Sequence, residues 1–184
     1  MPTLRTERLE LEPMVPDDLS WYASFAGDPD VMRYIGAAGA LTHQQATERL
    51  ARYVQCWADH GFGMFGVRLR DGRAPLGWAG LQPLSGTDEI EVGYAFGPTA
   101  WGRGYATEVA TVVVQWGFEA LGLERIVAVA SPENSGSRRV MDKLGMRYEG
   151  VRPGSGQVSV YYSLTPAAFT RAAPLRAVAR ELTP

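Results

Sequence analysis

An α/β sandwich built around a central sheet is the fold class the sequence predicts, on three observations. Strand-like and helix-like segments alternate along the chain, 46% of its 184 residues are apolar, and no internal repeat or long low-complexity linker interrupts the order. That apolar content suits one domain over residues 1–184 with a core under both faces of a sheet; its elements run from about 4 to 165 and leave a tail over 166–184.

Leu4 to Pro13 alternates polar and apolar residues and predicts a first strand. Pro16 opens a helix through Trp21, Tyr22 and Phe25 that ends near Gly27, and Asp28-Pro29 starts a short helical turn. Thr42 and Gln45 form a capping box, behind which Ala46, Leu50, Tyr53, Val54 and Trp57 recur at helical spacing up to His60-Gly61. Phe62–Leu69 and Leu76–Leu81 read as strands joined by RDGRAP, whose Asp71-Gly72 pair is a hairpin signal, and Glu89–Phe96 is the next strand. From Gly104 to Leu121 a stripe of Val109, Ala110, Val113, Gly117 and Leu121 predicts a helix. Arg125–Ala130 is a continuous apolar run suited to a strand buried on both faces. A helix from Asn134 to Leu144 follows, with Gly145 as its left-handed cap, and strands near Met146–Val151 and Val158–Leu164 make a hairpin over RPGSGQ. The tail from Pro166, with Arg171, Arg176 and Arg180 among alanines, reads as a loosely packed helix.

Composition excludes several functions. A formal charge of -2 provides no global positive field for a phosphate backbone, so no nucleic-acid partner is expected. Cys56 is the only cysteine, which rules out an internal disulfide and a multi-cysteine zinc site and suits a reducing compartment. His43 and His60 have no acidic partner at ligand spacing, so no metal is expected. MPTLRTERLELEP lacks an uninterrupted apolar run, so neither a signal peptide nor a membrane span is predicted, and the cytoplasm is the expected location.

Chemistry concentrates in three segments. Between the strand ending at Phe96 and the helix starting at Gly104, the small residues Gly102, Gly104 and Ala106 leave the backbone uncovered. Their N–H groups can converge with those of the helix start into an anion site, and Arg103 adds a cation; a strand-to-helix turn can equally contain glycine for steric reasons alone. In IEVGYAF, Ile90, Val92, Tyr94 and Phe96 face one way, and Glu91, Gly93 and Ala95 the other. The second face offers room for a thin ligand beside one carboxylate, where an acceptor amine can arrive; the plainer reading is a solvent-facing edge charge. In PENSGSRRVMDKLGM, Asn134 caps a helix and Ser137 stands one turn in, where its hydroxyl can meet a departing thiolate or simply serve the helix start.

WGRGYATE resembles the pyrophosphate-binding motif of GNAT acetyltransferases, and NSGSRRVMDKLGM resembles a later motif of the RimJ/RimL-like branch. LRTERLELEP, DPDVMRYI and YYSL are similar to further segments of that branch, so the likeness runs from about residue 4 to 165. It implies a strongly twisted mixed sheet of about 6–7 strands, flanked by helices, whose two central parallel strands splay apart to admit acetyl-CoA. It further implies that Tyr94, Ala95 and Phe96 meet the acetyl and pantetheine portions through their backbone, with a strand bulge near Tyr94 polarising the thioester. Trp101, Gly102, Arg103, Gly104, Tyr105, Ala106 and Thr107 would surround the pyrophosphate, and Asn134 and Ser137 would lie beside the cofactor. The activity implied is direct attack of a primary amine, on a small molecule or a peptide, without an acyl-enzyme, which leaves Cys56 a packing residue; from its place on the strand, Glu91, directly or through water, is the expected base.

Three departures from the family pattern stand out. Trp101 replaces the Gln or Arg of many members, Met141 stands where a tyrosine acid is common, and Leu11-Glu12 replaces the Leu-Arg that often ends the branch's opening. Without that tyrosine, Ser137 or water must protonate the thiolate. A non-catalytic acyl-CoA sensor or partner-binding module is the alternative, whereas a dinucleotide fold would need a G-x-G-x-x-G near the first strand, which the chain lacks. The acceptor pocket is expected from the loops Gly36–Leu41 and Arg152–Gln157, with Trp21, Tyr22, Tyr34, Trp57 and Trp78 as wall or core. A homodimer is compatible with the sequence.

Overall fold

The computed structural model describes residues 1–36, 39–72, 74–153 and 158–169. Its elements in chain order are β1 (Leu4–Arg5), β2 (Leu9–Pro13), α1 (Leu19–Ala26), α2 (Pro29–Met32), α3 (His43–His60), β3 (Met64–Leu69), β4 (Pro75–Pro83), β5 (Ile90–Phe96), α4 (Tyr105–Glu119), β6 (Ile126–Ala130), α5 (Ser135–Lys143), β7 (Arg147–Pro153) and β8 (Val158–Leu164). The strands form one eight-stranded sheet in the order β1-β2-β3-β4-β5-β6-β8-β7, one strand more than the upper expectation. All neighbours pair antiparallel except β5 and β6, which are parallel.

The extra strand comes from the first predicted one. Leu4–Pro13 is not continuous: Thr6 takes the Leu9 carbonyl through its backbone N–H at 2.9 Å, and the chain turns back so that Leu4 faces Leu11. The sequence carries a trace of this turn: Arg5 to Arg8 are four polar residues in a row, and Leu4 and Leu9, an odd number of positions apart, are out of phase for one continuous strand. The helix expected from Pro16 starts as a 3-10 turn over Pro16–Asp18 before α1. The Thr42/Gln45 box forms in both directions and Gly61 ends α3 in the left-handed region. Asn134 caps α5 by accepting the Ser137 N–H at 3.0 Å, and at the other end left-handed Gly145 lets Met146 N–H reach the Met141 carbonyl.

Strand alternation splits the core in two. Phe65, Ala79, Val92 and Phe96 join Val109, Val113, Ile126 and Val140 under α4 and α5. Met64, Trp78 and Ala95 face the other way and pack with Tyr22, Leu50 and Tyr53 of α1 and α3. Tyr22, Trp57 and Trp78 are therefore core residues, Trp21 is half-buried, and Tyr34 is exposed. Cys56 is half-buried against the first cluster, where burial raises its thiol pKa.

β4 lies unusually close to its neighbours. A Cβ on Gly80 would stand 2.2 Å from the Gly63 carbonyl oxygen, and one on Gly77 would stand 2.0 Å from that of Ala95.

Phe169 packs edge-on against Phe118 at 5.8 Å. The rest of the predicted tail helix (170–184), the RPGSGQ tip (154–157), Arg73 of the β3–β4 turn, and Ala37 and Ala38 of the first acceptor loop lie outside the described residues.

Candidate active site

β5 and β6 touch in register only where Glu91 stands opposite Val127, and they separate toward their C-terminal ends. The joined end is held from outside. Arg125, just before β6, donates to Glu89, just before β5, at 3.1 Å and to Glu149 on β7 at 2.9 Å, while the Tyr161 hydroxyl also donates to Glu89. At the open end the Trp101 indole N–H donates to the Phe96 carbonyl at 2.6 Å, while Gly97 N–H goes the other way to Leu76 on β4. Backbone direction alternates along a strand, so Phe96 and Tyr94 aim their peptide groups into the gap, and Ala95 aims its own toward β4. The β4–β5 register runs without a shift from Gly77/Phe96 to Pro83/Ile90, so the expected bulge near Tyr94 is absent from that pairing. The cause is the straight antiparallel ladder, which absorbs every residue of β5.

Ser137 at the start of α5 points across this gap. Its hydroxyl donates to the Tyr94 phenol at 3.0 Å, and the phenol donates to the Ser137 carbonyl at 3.2 Å. Burial pushes the Tyr94 pKa up to about 12, a rise that the bond to Ser137 partly offsets. The Tyr94 side chain, and not only its backbone, thus belongs to the site.

The turn from Trp101 to Gly104 is exposed. Gly102 and Gly104 both take left-handed backbone, with φ of 73° and 81°, and a Cβ on Gly102 would meet nothing within 4 Å. Gly104 is the N-cap of α4 and provides no side chain to close the helix start. Left-handed residues next to helical ones curl successive N–H groups into a concave nest, and the helix dipole adds partial positive charge; this is a geometry for an anion. Arg103 is exposed beside it, Tyr105 is buried, and Ala106 and Thr107 are half-buried in the first turn of α4.

Glu108, also in that first turn, is only 2% exposed and was not singled out from the sequence. It accepts from the Thr6 hydroxyl at 2.5 Å, from Arg8 N–H at 3.1 Å, and from Arg8 Nε and Nη2 at 2.8 and 2.5 Å. Arg8 also donates Nη1–H to the Arg103 carbonyl at 3.1 Å and lies 4.6 Å over the Tyr105 ring. The turn between β1 and β2 is thus locked to the start of α4. Contacts a hundred residues apart leave no local periodic signal.

On the opposite face of β5, Glu91 is half-buried rather than an edge charge, because β5 is central in the sheet. Burial raises its carboxyl pKa, and a hydrogen bond from Gln82 Nε2 partly counters the rise. The room expected over Gly93 is filled: a Cβ there would lie 3.3 Å from both Met64 Cε and Trp78 Cζ3. Trp78 sits opposite Ala95 in the register, and its large ring covers the space that the small residues leave. The room for a thin ligand that the small residues of this face suggest is therefore taken by Trp78 and Met64.

The structure brings Tyr94, Phe96 and Ser137 to the gap, with Asn134 fixing the turn that carries Ser137; Trp101, Gly102, Arg103 and Gly104 sit at its open end, and Glu91 marks its joined end. An open depression lined by Leu19, Ser20, Ala23, Ser24 and His43 shares no residue with them. Among the described residues no group of three or more His, Cys, Asp or Glu gathers at metal-binding distance, and no helix is long and apolar enough to cross a membrane.

The site is therefore a split in a mixed sheet with a glycine nest suited to an anion at its mouth. The family profile "Acetyltransferase (GNAT) domain" matches residues 8–147, and the chain belongs to that family of N-acetyltransferases. It is 34% identical over 152 residues to the uncharacterized N-acetyltransferase YoaA of Bacillus subtilis (strain 168), covering 82% of this chain and 85% of YoaA. The FsC-acetyl coenzyme A-N(2)-transacetylase of Aspergillus fumigatus is 31% identical over 181 residues, covering 89% of this chain and 76% of that enzyme. Among solved structures, an acetyltransferase from Agrobacterium tumefaciens superposes with a TM-score of 0.79 at 29% identity, covering 89% of this chain and 94% of the other.

Proposed function

We propose that this protein transfers the acetyl group of acetyl-CoA to a primary amine, on a small molecule or a peptide N-terminus, by direct attack without an acyl-enzyme. The reading rests on one observation: β5 and β6 part beyond Glu91/Val127, with an exposed left-handed glycine nest at the open end and a half-buried carboxylate at the joined end. The nest residues Gly102 to Tyr105, with Arg103, would bind the diphosphate, and the peptide groups of Tyr94 and Phe96 would orient the pantetheine arm. Bound acetyl-CoA supplies the electrophilic thioester carbonyl and a thiolate leaving group.

Glu91 removes a proton from the acceptor ammonium, directly or through water, so that the neutral amine can attack. Its carboxyl pKa, raised by burial, brings it nearer to the working pH as a base. As the tetrahedral intermediate collapses and the C–S bond breaks, the attacking nitrogen gives up its second proton, and the Ser137 hydroxyl, held by the Tyr94 phenol, relays it to the leaving sulfur and ends as a neutral hydroxyl. The Met141 side chain, 1% exposed and apolar, supplies no acid. A single half-buried cysteine suits work in the cytoplasm.

The test is acetyl-CoA binding by calorimetry, followed by a thiol-release assay over a panel of amines and N-terminal peptides. Tight binding with amine-dependent release supports the reading. Binding without release from any amine would favour a sensor, and no binding would remove the site.

A further inference from the structure

We infer that Arg8 is a positioning residue for the diphosphate nest: it holds the Arg103–Gly104 peptide so that the Gly104 N–H faces the ligand. The inference rests on the proposed acetyl-CoA site.

Arg8 Nη1–H donates to the Arg103 carbonyl at 3.1 Å. In a trans peptide the carbonyl oxygen and the following N–H point in opposite directions, so pinning Arg103 O on the Arg8 side turns Gly104 N–H to the other side. Gly104 takes left-handed backbone with φ of 81°, where glycine lacks the side-chain clash that restricts other residues, so the peptide before it is free to rotate unless something holds it. A cation on the carbonyl also polarises the peptide and strengthens its N–H as a donor.

The guanidinium itself is well anchored. Nε and Nη2 grip Glu108 at 2.8 and 2.5 Å, leaving Nη1 for Arg103, and Tyr105 stacks beneath at 4.6 Å. Glu108 in turn is fixed by the Thr6 hydroxyl and the Arg8 backbone. The anchor reaches the nest from the β1–β2 turn, an element that none of the cofactor motifs includes. Since Glu108 already balances its charge, Arg8 acts through geometry rather than as another phosphate cation.

The experiment compares Arg8→Ala and Arg8→Lys with the wild-type chain, using CoA binding by calorimetry and kcat/KM with acetyl-CoA against S-acetylpantetheine, which lacks the diphosphate. We expect Arg8→Ala to weaken CoA about tenfold and to lower kcat/KM with acetyl-CoA by a similar factor. Its kcat/KM with S-acetylpantetheine should stay within about twofold of wild type, and Arg8→Lys, which keeps a donor for the carbonyl, should recover part of the loss. Wild-type CoA affinity in Arg8→Ala, or an equal loss with both donors, would overturn the inference. If Arg8→Ala does not fold, the same donor comparison in Arg8→Lys decides. Failure of the wild-type chain to bind CoA is a different result and strikes the proposed function instead.

Discussion

The two ends of the β5–β6 gap are made from different materials. The open end consists of backbone: the peptide groups of Tyr94 and Phe96 and the N–H groups around Gly102 and Gly104, braced from behind by Arg8 and Glu108. The joined end consists of side chains: Glu91 with its Gln82 partner, and Glu89 held by Arg125 and Tyr161. Backbone suits a ligand part common to every turnover, whereas side chains can be exchanged to change which acceptor is received.

Each contrast can be broken by substitution. The largest effect is expected from Gly104→Glu, which forces a side chain into left-handed backbone and adds a negative charge to the anion nest; CoA binding should vanish in calorimetry while the fold persists by circular dichroism. Retained binding would show that the nest is not the diphosphate site. Glu91→Gln should lower kcat by about 10²–10⁴-fold with CoA affinity nearly unchanged, as for loss of a general base.

The pH dependence sharpens the same point. Because burial raises the Glu91 pKa, the carboxylate base is lost, and kcat/KM should fall, as pH drops through that raised value; the acid limb should be missing in Glu91→Gln. A raised folded-state pKa means that ionised Glu91 disfavours the fold above it. Glu91→Gln should therefore melt higher than wild type at neutral pH, and the gain should fade toward the ordinary glutamate pKa of about 4.3. An acid limb that survives the substitution would remove Glu91 as the base.

Smaller effects test the supports. Glu108→Ala leaves the Arg8 N–H and guanidinium without their carboxylate and the Thr6 hydroxyl with only the longer bond to the Leu9 carbonyl, and should cost about 3 kcal/mol in denaturant unfolding. Ser137→Ala should lower kcat about tenfold if its hydroxyl passes the proton, and leave CoA affinity within about twofold. Cys56→Ser should cost about 1 kcal/mol at most and leave turnover intact; inactivation would overturn its assignment to packing.

The open end was legible in the sequence because its chemistry is local. Two glycines, a helix start and a strand end within ten residues describe a nest by themselves, and Asn134 announces the turn that carries Ser137. The bracing behind it was not legible: Thr6, Arg8 and Glu108 meet only because β1 and β2 fold back on each other, and although the polar run Arg5 to Arg8 marks the turn, nothing local pairs it with a residue a hundred positions on. At the joined end the alternation of IEVGYAF placed Glu91 on the correct face but said nothing of Trp78. That ring arrives from the neighbouring strand and fills the space over Gly93 that composition alone suggested was open.

The glycines of β4 set a limit on how this gap can change. At Gly80 and Gly77 the atoms in the way of a side chain are carbonyl oxygens of the main chain, at 2.2 and 2.0 Å, which no rotamer change next door can clear. A larger residue at Gly80 must push the start of β3 aside, and one at Gly77 must push β5 aside and carry the peptide groups of Tyr94 and Phe96 with it. Variation is thus channelled to the surrounding loops, while the seam under the proposed reacting centre tolerates almost no drift.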